Sequence, residues 1–127
     1  MRRFVAVAFI ALAACSSGRD VEGDVLMEPG QRFAPTELTV SAGDSVVFAN
    51  TSKETHTVTA YGEDLPDEAG YFASGGADSE SEARDSLSDG LVDPGEIFEV
   101  TFDDPGTYKY FCIPHESSGM KGTIIVE

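Results

Sequence analysis

Near the end of the sequence, Tyr110-Phe111-Cys112-Ile113-Pro114-His115 is followed by Gly119-Met120-Lys121-Gly122, so a thiolate, an imidazole and a thioether fall within nine residues. The only other histidine is His56, far upstream, and the only other cysteine is Cys15. Two imidazoles and one thiolate make a trigonal donor set, and a methionine sulfur adds a weak axial contact. That is the ligand combination of a blue-copper electron-transfer site. The sulfur donors are soft and favour Cu(I), while imidazole serves both oxidation states. A mixed set on a rigid scaffold lets an electron arrive and leave with little ligand movement. Zinc also accepts Cys and His, but a thioether contributes little to it. Each residue alone has an ordinary explanation: a surface or core histidine, a small buried cysteine, a packing methionine. Their coincidence in one short chain carries the metal reading.

The spacing suits a loop between strands. Cys112 ends a predicted strand, Pro114 stiffens the turn, and Gly119 lets the loop fold Met120 back toward the metal. Proline has no N–H, so Pro114 cannot donate a hydrogen bond to the Cys112 sulfur, which leaves more electron density there.

The elements that must hold these side chains read as strands from about Val25 onward. Leu38 and Val40 alternate with Thr39, and Val46 and Phe48 with Val47 and Ala49, around the turn residues Ser41-Ala42-Gly43-Asp44. A further strand is expected over His56–Tyr61. Phe98, Val100 and Phe102 share one face of another, Asp103-Asp104-Pro105-Gly106 is a turn, and Thr107–Cys112 and Gly122–Val126 close the pattern. The stretch 62–95 breaks the rhythm: it is acidic, holds a single arginine, Arg84, and has few large apolar residues. Ser79 with Glu82 three residues later predicts a capped short helix that Gly90 could end. Short strands with Gly, Pro and Asp turns indicate a β-sandwich.

Over roughly residues 25–127, outside the acidic insertion, the chain resembles the cupredoxins, in the plastocyanin, pseudoazurin and halocyanin group. The matching stretches are Phe33-Ala34-Pro35 through Leu38-Thr39-Val40, Gly43-Asp44-Ser45-Val46-Val47-Phe48-Ala49-Asn50, His56-Thr57-Val58, and the block C-x-x-H-x-x-x-x-M with Lys-Gly and a strand. The resemblance implies an all-β Greek-key β-sandwich of about seven to eight strands over 25–127, interrupted by the acidic insertion 62–95. It also implies one copper ion, cycling between Cu(I) and Cu(II), on His56, Cys112, His115 and Met120. Asn50, Thr57 and Pro114 are the residues expected around the ligands. Family members often carry Asn where this chain has Thr57, so the link between the ligand loops is expected to differ here.

The N-terminus points to export. Arg2 and Arg3 precede an eleven-residue apolar run, Phe4–Ala14, too short for a membrane span of roughly 20 residues but suited to a signal peptide over 1–14. Leu12-Ala13-Ala14-Cys15 resembles the lipobox of bacterial lipoproteins, which implies a lipid on Cys15 followed by a flexible tether through residue 24. Arg2-Arg3 fits a twin-arginine export signal poorly. With Cys15 lipidated, Cys112 is a lone thiol in an exported protein, a hazard unless a metal occupies it. The expected location is the outer face of the cytoplasmic membrane, or the periplasm or cell surface.

The formal net charge of −15 excludes nucleic acid as a partner. The acids serve either solvation, as in a salty environment, or docking of a basic redox partner. The reading is a monomeric carrier of single electrons with transient protein partners, tethered to a membrane. The alternative is a copper-delivery or storage lipoprotein, which the single closed-looking donor set argues against. An enzyme is not expected, since no histidine remains for a substrate or multi-copper site.

Overall fold

The computed structural model describes residues 21–127. Eight strands follow one another: β1 (Val25–Glu28), β2 (Arg32–Ala34), β3 (Glu37–Val40), β4 (Asp44–Asn50), β5 (Thr59–Ala60), β6 (Ile97–Phe102), β7 (Gly106–Phe111) and β8 (Lys121–Val126). They form two four-stranded sheets, in the orders β2-β1-β4-β6 and β3-β8-β7-β5. Each sheet contains one parallel pair, β1 with β4 and β3 with β8, among antiparallel ones. This is the all-β sandwich expected, with eight strands. The stretch expected to be a signal peptide (1–14), with Arg2 and Arg3, and Cys15 lie outside the described residues.

Period-two burial builds the core. Val46 and Phe48 of β4, Phe102 of β6, Tyr108 and Tyr110 of β7, and Ile124 and Val126 of β8 are buried between the sheets. Each such side chain contributes roughly 1.5–3 kcal/mol on leaving water. The rings of Phe33 and Phe48 meet Tyr110 edge-on, with centroids 4.7 and 5.2 Å away.

Three expectations are corrected. The strand expected over His56–Tyr61 shrinks to Thr59–Ala60, because His56 pairs singly with Val92 of the insertion. Asp24, placed in the tether, belongs to the sandwich: its N–H donates to the Val47 carbonyl and its carboxylate accepts from the Val47 N–H, both at 2.8 Å. The helix α1 (Glu80–Asp85) starts where predicted, with Ser79 Oγ accepting from the Glu82 N–H at 3.1 Å. The Glu82 carboxylate, however, accepts from Asp78 rather than closing the box on Ser79. The helix also stops at Asp85, and a 3-10 turn, Leu87–Gly90, follows.

The insertion is woven into the site's scaffold rather than hung outside it. The Ala60 N–H donates to Phe72 and the Ser74 N–H to Val58, extending the edge at β5, and Phe72 enters the core. His56 and Val92 exchange both backbone hydrogen bonds, at 3.2 and 2.7 Å.

Candidate metal centre

The turn from Cys112 to Met120 closes on itself. Its first and last residues are joined by the Cys112 N–H donating to the Met120 carbonyl at 3.0 Å, and the Met120 N–H donates to His115 at 3.2 Å. Between them Ile113–Ser118 forms two short 3-10 turns that meet at a kink on His115 (φ −124°, ψ 17°), with Pro114 in the first, where a missing N–H costs nothing. Gly119 ends it in the left-handed conformation, φ 84°, with open space around it, so conformation and not crowding requires glycine there.

The upstream histidine is held by a polar turn organised on Asn50. This buried amide donates to the Glu54 carbonyl at 2.7 Å and the Val92 carbonyl at 2.9 Å. Its oxygen accepts from the Ser52 N–H at 3.0 Å and from the Ser52 hydroxyl at 2.7 Å. With its one proton given to Asn50, Ser52 Oγ faces His56 Nε2, 2.8 Å away, as an acceptor. Nε2 therefore carries the ring proton, and the Nδ1 lone pair is free.

That Nδ1 lies 3.2 Å from His115 Nδ1 and 3.7 Å from Cys112 Sγ, and His115 Nδ1 lies 3.5 Å from the same sulfur. Bonds of about 2.0 Å to nitrogen and about 2.3 Å to thiolate, set trigonally, place nitrogens about 3.5 Å apart and each about 3.7 Å from sulfur. The triangle fits one metal ion. Among the described residues these three form the one His/Cys/Asp/Glu cluster able to hold a metal, all ligating atoms falling within 4.8 Å of one another. Met120 is fully buried at the end of the same turn. The expected quartet is thus brought into one loop and one facing histidine, and His56, Cys112 and Met120 are all closed to solvent.

The electrostatics suit a neutral imidazole and a thiol that keeps its proton until a metal displaces it. Burial, then the neighbouring His115, push the His56 pKa below its ordinary value, so the ring stays neutral and ready to ligate. Burial pushes the Cys112 thiol up, against hydrogen bonds led by that from the Thr57 N–H. Thr57 does bridge the ligand loops. Its N–H points at Cys112 Sγ at 3.3 Å, and its Oγ1 accepts from the Ile113 N–H at 2.9 Å. Pro114, lacking an N–H, gives the sulfur nothing.

Sequence reasoning missed two contacts. Glu54 Oε2 lies 3.0 Å from His115 Nε2, and Ser52 meets His56 as described. The only signal was a run of turn-forming polar residues, Thr51 to Thr55, just before His56. It also missed a brace on the far side of the loop. Arg84 of α1 pairs with Glu116 through both terminal guanidinium nitrogens, at 2.9 and 3.1 Å, and lies over the Phe111 ring. Tyr61 stacks on Phe111 and donates to Glu116 at 2.6 Å. Arg84 and then Tyr61 hold the Glu116 carboxyl below its usual range.

The sequence model of the copper binding proteins of the plastocyanin/azurin family matches residues 22–127. The chain belongs to that family. Its members bind copper and are electron carriers, not enzymes. The chain is 36% identical over 95 residues to plastocyanin of Scenedesmus fuscus, covering 75% of this chain and 86% of the relative. It is 34% identical over 125 residues to chloroplastic plastocyanin of Pisum sativum, covering 96% and 69%. The solved oxidised plastocyanin of Dryopteris crassirhizoma superposes with a TM-score of 0.54 at 30% identity, over 76% of this chain and 88% of that one. In this plastocyanin/azurin chain the insertion helix α1 lies against the ligand loop through Arg84.

Proposed function

We propose that the chain is a type 1 blue-copper protein carrying single electrons between membrane-associated redox partners, with His56, Cys112, His115 and Met120 as ligands. The convergence of two Nδ1 atoms and Sγ at trigonal spacing supports this most directly. When bound, copper supplies a one-electron couple. The protein's part is to hold the donors still. Asn50 and Ser52 fix one imidazole, the Cys112–Met120 turn fixes the other with both sulfurs, and packed sheets keep water from the thiolate. His115, with 15% of its side chain exposed, is the one ligand that reaches solvent, so electrons pass along its edge. A signal peptide over 1–14 would direct export, and a lipid on Cys15 would hold the domain at the outer face of a membrane. Protein partners dock briefly over His115, and the acidic surface favours basic ones.

The test is to add Cu(II) to the purified chain and follow its visible absorption through reduction and reoxidation. An intense band that bleaches and returns is expected. Cys112→Ala should abolish it. Met120→Leu should retain copper with an altered spectrum and a shifted potential, since a weak axial donor tunes the couple without holding the ion. Copper that leaves on reduction would instead support delivery or storage.

A further inference from the structure

The two histidines are backed differently. His56 donates from Nε2 to a neutral hydroxyl in a buried turn, whereas His115 Nε2 meets a carboxylate, Glu54 Oε2, at 3.0 Å on the rim of the site. Glu54 is not a loose surface acid. Its carbonyl accepts from Asn50 Nδ2 at 2.7 Å and its N–H donates to Ser52 Oγ at 3.2 Å, so its backbone is fixed by the turn that fixes His56. Its other carboxylate contact is a neutral one, Gln31 Nε2 at 3.2 Å. Among the described residues no lysine or arginine pairs with it.

From this geometry we infer that Glu54 is a positioning residue that sets the redox balance of the site. It holds His115 with the proton on Nε2 and Nδ1 inward, and its charge favours Cu(II) over Cu(I). A carboxylate only accepts, so the ring nitrogen facing it must be the protonated one. Accepting that proton's hydrogen bond makes the ring a stronger donor through Nδ1. A fixed negative charge one imidazole away from the metal also attracts the doubly charged ion more than the singly charged one. The inference rests on the blue-copper reading.

Glu54→Gln keeps the shape and removes the charge. Outer partners of this kind are worth about 10-fold to 100-fold in metal affinity. At the lower figure, with the loss confined to Cu(II), the midpoint potential rises by about 59 mV, the one-electron equivalent of a tenfold ratio. The full-length chain, purified in detergent, is compared with Glu54→Gln and with Glu99→Gln, which removes the same charge from an exposed position on β6. Midpoint potential and Cu(I) and Cu(II) dissociation constants are measured on copper-loaded protein. Nitrogen-15 shifts of His115 are measured on metal-free protein. The expected result is a raised midpoint in Glu54→Gln alone, with the Nε2–H tautomer dominant in wild type and mixed in the variant. A blue wild type whose midpoint moves no further in Glu54→Gln than in Glu99→Gln would overturn the assignment of Glu54. A wild-type chain that stays colourless with copper would sink the blue-copper reading and the redox role with it.

Discussion

At Thr57 the backbone and the side chain serve different partners: the N–H points at the Cys112 sulfur while Oγ1 accepts from Ile113 across the loop. Oγ1 also lies 3.0 Å from Thr59 Oγ1, a neighbour to which it can donate its own proton. Thr57→Val keeps the first contact and the shape but leaves the Ile113 N–H without its acceptor, at a cost of about 1–3 kcal/mol. Denaturant midpoints should show that loss with the visible spectrum little changed, and Thr57→Asn, which retains an acceptor, should lose less. Equal stability of Val and wild type would mean that the bridge is redundant. The ligands were legible at this scale because histidine and cysteine are scarce here, two of each in the chain. Ser52 and Glu54 were not, because serine and glutamate are common in any exposed turn. What singles Glu54 out is His115, which only folding brings beside it.

Among the elements, the acidic stretch between β5 and β6 departs furthest from its sequence pattern. Its pairings are isolated, Ala73 with Thr59 and Val92 with His56, too short to leave the alternation that betrayed β4 or β6. Phe111 also breaks the strand's alternation of buried and exposed residues. It follows the inward-facing Tyr110 yet is buried as well, because Tyr61 and Arg84 cover the opposite face. Gly75 joins the two halves of this stretch. Its φ is +89°, and a Cβ there would stand 2.8 Å from Gly90 Cα, a backbone atom that cannot swing aside. Gly76, at φ +77°, has open space instead. Gly75→Ala should therefore cost more than Gly76→Ala, about 1–3 kcal/mol beyond the conformational penalty they share. Thermal unfolding measures the difference, and equal melting temperatures would remove the close approach of Gly75 to Gly90 as a constraint. Ser74 donates to the Gly90 carbonyl and leads back to Val58, so the damage should reach the strand edge beside His56.

Over the whole molecule, a net charge of −15 either keeps the protein dissolved or draws in a cationic partner. The two differ in their response to salt. Between about 0.01 M and 1 M the Debye length shrinks from about 30 Å to about 3 Å. If the acids steer docking, the bimolecular rate with a basic redox protein should fall about tenfold or more over that range in stopped-flow mixing, while an acidic partner should react faster as salt rises. A flat profile for both would assign the acids to solvation. The sandwich itself was legible through β3, β4 and β6, where residues alternate, and through β7 and β8, which are rich in aromatic and β-branched residues. The parallel neighbours β1 with β4 and β3 with β8 were not, since nothing local records which distant strand lies alongside.

Three of the four expected donors sit on the nine residues from Cys112 to Met120, and only His56 comes from elsewhere. A denatured polypeptide therefore keeps a tridentate chelating fragment. Metal held there stabilises the disordered side of the equilibrium, so loading raises the melting temperature by less than native affinity alone implies. The same fragment could seize an ion before the sheets have met, with His56 completing the coordination as the last act of folding.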